Sequence, residues 1–437
     1  MLKIKKGINP EIIKEISQLK QEDEKMLNIR LKAYESFLLQ KNPVWCEEDL
    51  KDINFNDFIY FKKNNFSIKE DWNDVDKDIK NIFEKLDVIE TEKKYLDGIN
   101  AQYESESVYH SFNKELEDKK IIFLDTDTAY KKHPELFLKY FNKLVPYTDN
   151  KYAALNTSVW SGGTFIYVPK NTKLDKPLHS YFRLQSKNMG QFERTLIILD
   201  ENSSLHYIEG CTAEVYDDNN LHAAVVEIYV EKNAEMKYTT IQNWSDNVLN
   251  YVTKRAIVQE DASMTWVDGN LGSKHNIKFP TCILIGKNSS GNCISIAKAK
   301  EHIIQDTGAK MIHIGENTKS SIISKTIGYE NSKTYFRGYV NIKKSAKNSY
   351  SKIVCDNLLL SPNLESYTYP YEKIENMSSV IEHEAQISKI SEEQLFFLTS
   401  KGFNNKKAEN LLVLGFIDQF NKELPMEYAV ELNRLMK

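Results

Sequence analysis

Val168-Pro-Lys-Asn171-Thr, Leu199-Asp-Glu-Asn202-Ser, Val230-Glu-Lys-Asn233-Ala and Val258-Gln-Glu-Asp261-Ala share one pattern: an apolar residue, two mostly polar residues, a turn former, then a small residue. Ile285-Gly-Lys-Asn288-Ser, Ile314-Gly-Glu-Asn317-Thr and Ile342-Lys-Lys-Ser345-Ala continue it. The turn residues stand 31, 31, 28, 27, 29 and 28 positions apart. Such a period marks a solenoid or a propeller. A four-stranded propeller blade takes ~40 residues, so this shorter step suits one coil of a β-solenoid better. Phe165-Ile-Tyr-Val, Thr195-Leu-Ile-Ile-Leu, Val225-Val-Glu-Ile-Tyr-Val and Met236-Lys-Tyr-Thr-Thr-Ile supply the strands between cassettes. Stacked coils put equivalent positions in file, ~4.8 Å apart, and their two ends must be capped or paired because open strand edges aggregate.

Outward from this core the period becomes helical. Asn9-Pro10 forms an N-cap and first turn ahead of Ile12, Ile13, Ile16 and Leu19, and Leu27, Leu31, Tyr34 and Leu38 repeat the spacing. Residues 41–105 carry no clear element, and Leu136, Phe137, Tyr140, Phe141 and Leu144 predict an amphipathic helix. At the other end, Ser391-Glu-Glu-Gln394 is a capping box and Gly402 a C-cap. Leu411, Leu412, Val413, Phe416 and Ile417 form a further stripe, and Pro425 opens a helix with Tyr428, Val430, Leu432 and Leu435. The chain therefore divides into a mainly helical region over 1–150, a β-solenoid over 151–390 and a helical region over 391–437.

With 437 residues, 41% hydrophobic and 27% charged, the chain is long enough for a sizeable core. Its net charge of −4 offers no electrostatic case for nucleic acid or an anionic membrane. No run of ~18 apolar residues and no signal-peptide core are present, so the cytoplasm is the expected compartment, or the plastid stroma if the gene is organellar. The five cysteines are scattered without a C-x-x-C, which argues against a disulfide framework and a self-contained zinc or cluster site. No Walker A, G-x-G-x-x-G or G-x-S-x-G motif occurs, so any ATP hydrolysis must come from another chain.

Chemistry concentrates in two places. Cys355 is followed, one coil on, by Glu382-His383-Glu384, a thiolate, imidazole and carboxylate set suited to zinc, iron or an iron–sulfur cluster. The plainer reading is a buried cysteine and a solvated strand face. In a regular strand Glu382 and Glu384 point one way and His383 the other, so one metal meets all three only if the strand bends or a partner contributes. Cys211 lies nine residues after Asn202, Gln242 and Asn270 nine after their own turn residues, and Cys355 ten after Ser345, which puts all four near one side of the solenoid. Cys211 and Cys355 are then five coils apart, roughly 24 Å at ~4.8 Å per coil, too far for a disulfide or a shared metal. If both thiols act, something moves between them. A reactive Cys211 is expected to be accessible, with its thiolate stabilised. Cys46, Cys282 and Cys293 read as structural.

At this point several long words match a known family. Ala153-ALNTSVWSGGTFIYVPKN, Gly190-QFERTLIILDENSSLHYIEGCTAE, Thr239-TIQNW, Tyr251-VTKRA, Val354-CDNLLL, Ile381-EHEAQISKISEEQLF and Leu424-PMEYAVELNRL make the chain resemble the SufB family, scaffold subunits of the SUF iron–sulfur cluster assembly system. The resemblance implies a right-handed parallel β-helix with flanking helices. It implies a complex with the ATPase SufC and with SufD or a second copy of the chain. Sulfur would come from a SufE- or SufU-type donor with its cysteine desulfurase. Carried over, Cys211 accepts persulfide sulfur, Arg183, Gln242, Trp244 and Lys254 line a sulfur route, and Cys355 with Glu382, His383 and Glu384 holds a transient [4Fe-4S] or [2Fe-2S] cluster. The C-terminal helices dock SufC, and a reduced flavin in the complex is left open. Glu214 stands where the family commonly has proline, many members have asparagine where this chain has Gln185, and the N-terminal cysteine cluster of some members is absent. A SufD-like non-catalytic partner and a β-helix enzyme acting on polysaccharide or acyl groups are the competing functions.

Overall fold

The computed structural model describes residues 2–46, 50–63, 67–77, 79–80, 96–213, 218–424, 429 and 432–434. Glu214 and most of the helix expected from Pro425 (Tyr428, Val430 and Leu435 with it) lie outside them.

Each cassette closes a coil. The chain runs along one sheet through Ser204–Ala213, crosses to a second through Asn220–Val230, turns at the cassette and re-enters the first at Glu235–Asn243. Repetition stacks two parallel sheets into a β-helix of about eight turns, as the period predicts. Asn171, Asn202, Asn233, Asp261, Asn288 and Asn317 all adopt left-handed backbone, φ 54–60°. Asparagine and aspartate tolerate that conformation best among residues with a side chain, which is why the cassettes repeat them. The amides also form a ladder: Asn202 Nδ2 donates to Asn171 Oδ1 at 2.7 Å, Asn233 to Asn202 at 2.9 Å, and Asn288 to Asp261 at 2.8 Å.

The seventh cassette departs from its expected register. Its left-handed residue is Asn348, φ 56°, not Ser345, whose hydroxyl donates to Ile314 O instead. Cys355 is thus seven residues past its turn. It shares a column with Ser180, Glu209, Thr240, Asp268, Ser295 and Ser324, whereas Cys211 lies in the adjacent column, after Phe182 and before Gln242, Asn270, Ala297, Thr326 and Asn357. The five-coil separation stands.

The 1–150 segment holds strands as well as helices. Gly98–Tyr103 and Ile122–Asp125 join the two sheets, the first inside the stretch where the sequence showed no clear element. Glu106–Phe112 pairs antiparallel with Gly98–Tyr103, and Ile122–Asp125 antiparallel with Thr164–Val168, which ends the parallel stack at this side. The helices Pro10–Lys20 and Lys151–Val159 place Ile12, Ile13, Ile16 and Leu155 on the outer face of the second sheet, against Leu221, Leu249 and Tyr251. Asn9 caps the first of them as expected, accepting from Ile12 N at 2.9 Å. At the far end Ser391 caps Glu392–Ser400, and Gly402 follows it at φ 93°. Asn405–Phe416 then returns along the outer face of the first sheet, burying Val413 and Ile417 with Val267, Ile296 and Leu358.

Candidate functional site

The interior between the sheets has two halves. One is a continuous apolar core running from Leu178 through Trp266 and Met311 to Ile353. The other is polar, and it begins at Cys211. Cys211 and Glu209 alternate inward with Gly210 and Thr212 pointing outward. The thiol is 1% exposed, packed with Ile59, Phe182, Met189 and Trp244, so the access expected of a reactive thiol is absent in this conformation. Burial, then the carboxylates of Glu209 and Glu193, push its pKa well above the ordinary thiol value against Lys254 and Lys278.

Around this thiol the polar groups form a single network. Glu209 accepts from Tyr238 OH at 2.5 Å. Across the interior, His222 pairs with Glu193 at 2.6 Å, and its other nitrogen meets Asn250 Oδ1 at 2.5 Å. Asn250 Nδ2 donates to Gln242 Oε1 at 2.9 Å, which also accepts from Lys278 Nζ at 3.1 Å. Lys254 and Lys278 flank Asp268 at 3.0 and 3.5 Å. Burial pulls the Lys278 ammonium down to about 8, with Asp268 opposing; burial pulls His222 down too, but Glu193 wins and holds it above the ordinary value. Several buried atoms here have no partner: Gln242 Nε2, Trp244 Nε1, Glu193 Oε1 and Asp268 Oδ2. Buried polar atoms are nearly always satisfied, so two vacant N–H donors beside a thiol mark room for an acceptor.

Of the four residues assigned to the sulfur route, Gln242, Trp244 and Lys254 belong to this interior; the Trp244 ring stands 4.7 Å from that of His222. Arg183 does not. It occupies an alternate position of its strand, beside Phe182, and donates to the outward Thr212 hydroxyl at 2.9 Å.

The last coil is open. Its strands Glu365–Ile374 and Val380–Lys389 are largely exposed, with Tyr367, Tyr369 and Tyr371 stacked on their surface. Cys355 sits one coil inside, buried, its Sγ 3.8 Å from Thr368 Oγ1, and burial pushes its pKa to about 11. His383 faces inward above Ile353, two residues along from the position opposite Cys355. Its Nδ1 meets Glu372 Oε1 at 2.6 Å, while Nε2 has no partner. Carboxylate on one imidazole nitrogen with the other free is how metal-binding histidines are oriented. Glu382 and Glu384 project to the opposite face, and Glu382 accepts from Tyr350 OH at 2.8 Å. Among the described residues no three potential ligands converge on one point.

Two family models cover the chain: the SUF system FeS cluster assembly SufBD core domain over residues 182–416, and the SufBD protein N-terminal region over 13–179. The chain belongs to the SufBD family. Iron–sulfur cluster assembly SufBD family proteins of Staphylococcus saprophyticus and Staphylococcus aureus strain MRSA252 are 52% and 53% identical to it over 432 residues, covering 99% of this chain and 93% of theirs. Iron–sulfur cluster assembly by the SUF system is therefore the setting in which the two thiols are to be understood. No helix among the described residues of this SufBD protein is long and apolar enough to cross a membrane.

Sequence reasoning missed Glu193, Glu209, His222, Asn250, Asp268, Lys278 and Glu372. A signal existed for most of them. From Asn202 onward, counting seven residues past each cassette's left-handed turn gives Glu209, Thr240, Asp268, Ser295, Ser324 and Cys355, a polar or small residue in each of these coils. In the second sheet His222, Asn250, Asn276, Gln305 and Thr334 form the facing column. Glu372 carried no such signal, because its role depends on meeting His383 across the last coil.

Proposed function

We propose that this SufBD protein is the cluster-building scaffold of its complex. Cys211 accepts sulfur as a persulfide, the polar half of the interior conducts sulfur over five coils, and a nascent cluster is assembled at the open end before transfer to apo-proteins. The carrying observation is the pair of vacant buried donors, Gln242 Nε2 and Trp244 Nε1, beside Cys211. A terminal persulfide sulfur is anionic and accepts such hydrogen bonds, and Lys254 and Lys278 supply compensating charge from the facing sheet. Non-catalytic partner subunits have no use for vacant donors around a thiol.

At the open end Cys355 and His383 supply one thiolate and one imidazole to the cluster that is the system's product. A cluster takes about four ligands, mostly thiolates, so a second chain must complete the set. SufD or another copy of this chain fits there, reaching Glu382 and Glu384 around the outer edge of the last strand. A set this poor in thiolates holds its cargo loosely, as release requires. SufC-type ATPase subunits dock on the C-terminal helices, where Asn404, Lys407, Leu411 and Leu414 line a groove. A SufE- or SufU-type donor with its desulfurase delivers the sulfur.

The test is Cys211→Ser. The change is nearly isosteric, so the variant folds and retains its partners. It is expected to lose all sulfur uptake from the donor, read by mass spectrometry as absence of the one-sulfur adduct. Wild-type adduct levels on the variant rule out Cys211 as acceptor.

A further inference from the structure

Cys211 Sγ donates to Glu209 Oε1 at 3.9 Å, and the other oxygen of that carboxylate accepts from Tyr238 OH at 2.5 Å. Resting on the reading of Cys211 as sulfur acceptor, we propose that Glu209 is the general base that takes the Cys211 proton during persulfide transfer.

The geometry creates the need for such a base. A thiol buried among Phe182, Met189 and Trp244 does not ionise unaided, and a neutral thiol is a poor nucleophile. Burial raises the Glu209 carboxyl as well, with Lys254 opposing, which makes it a stronger proton acceptor than a surface carboxylate. Tyr207, Tyr238 and Asp268 are the other titratable groups of its own sheet in the network, and Tyr238 fixes the carboxylate in place. From the facing side come Glu193, His222, Lys254 and Lys278. Glu193 turns one oxygen to His222, and Lys254 and Lys278 are held by Asp268. Glu209 is left as the carboxylate in contact with sulfur.

The step balances without an oxidant. The Cys211 proton passes to Glu209 as the sulfur lone pair attacks the outer sulfur of a donor persulfide, R–S–SH. The donor S–S bond breaks with its electron pair leaving on R–S, which recovers a proton from Glu209. Cys211–SH and R–S–SH become Cys211–S–SH and R–SH, and the carboxylate is regenerated.

The experiment loads the full chain with glutathione persulfide and follows the one-sulfur adduct on Cys211 from pH 6 to 9 in wild type, Glu209→Gln, Glu209→Asp and Cys211→Ser. Circular dichroism confirms folding; Gln still accepts from Tyr238. Glu209→Gln is expected to slow loading by about 100-fold. Its rate should also rise steadily with pH where the wild type is flat, and Glu209→Asp should restore part of the rate. If Glu209→Gln loads at the wild-type rate, or slowly but with the wild-type pH profile, while Cys211→Ser stays blank, Glu209 is no base and the acceptor reading survives. If Cys211→Ser loads like the wild type, the acceptor reading itself falls.

Discussion

Cys355→Ala is expected to remain colourless after anaerobic reconstitution with iron and sulfide in the presence of its partner subunits, while Cys282→Ala and Cys293→Ala develop the wild-type chromophore. All three thiols are buried, so exposure does not separate them. Position does. Cys282 and Cys293 lie further down the stack, with coils on both sides, in the apolar cluster that ends at Cys355; burial pushes Cys282 up to about 12. Cys355 lies one coil from the open end, beside Thr368, and the unpartnered His383 Nε2 is on the next coil, two residues along. With a pKa near 11 the thiol is protonated at neutral pH, and iron must displace the proton, so loading should rise with pH across the neutral range. Glu372→Gln leaves the imidazole in place but removes its orienting carboxylate, and iron retention should weaken roughly 10- to 100-fold. Equal loss of colour in all three cysteine variants would mean that packing, not ligation, is being measured.

Glu227→Ala should destabilise the fold by about 3–5 kcal/mol, the range for breaking a buried ion pair from one side. Glu227 is fully buried and pairs with Arg194 at 2.5 Å. It also accepts from the backbone N–H groups of Asn142, Leu144 and Val145 at 2.8–2.9 Å. Arg194 in turn donates to Val145 O and Thr157 Oγ1. Removing the carboxylate therefore leaves one charge and three backbone donors buried without an acceptor. These groups join the N-terminal region to the second sheet, so chemical denaturation should show that region coming away first. A variant that unfolds within 1 kcal/mol of the wild type would mean water replaces the carboxylate.

The β-helix was legible because a steric rule repeats. Every cassette turn needs a left-handed residue, and only a few side chains accept that backbone readily. The same rule misplaced the seventh coil: Ser345 sits where the pattern asks for a turn former, but Asn348 is the better left-handed residue and takes the turn. That three-residue slip moved Cys355 from the Cys211 column to the Glu209 column. Helix caps at Asn9 and Ser391 were local and readable. Gly98–Tyr103 was not, since its pairing with Leu178–Leu184 is made across some 80 residues and left no local periodicity. Arg183 joined the expected site through resemblance alone, and the two-residue alternation of its strand turns it outward. The Glu209, His222 and Asp268 network is a product of register between coils, which a single strand does not display.

The columns also act as a ruler. Each added coil would lengthen the path between Cys211 and Cys355 by ~4.8 Å, and a partial coil would rotate one column out of line with the next. Lineages of this chain are thus free to vary the segments at the coil corners, as at residues 272–274, but not the number of coils between its thiols. Length variation in relatives should arrive as corner insertions, with the spacing from each left-handed asparagine to its inward polar residue unchanged.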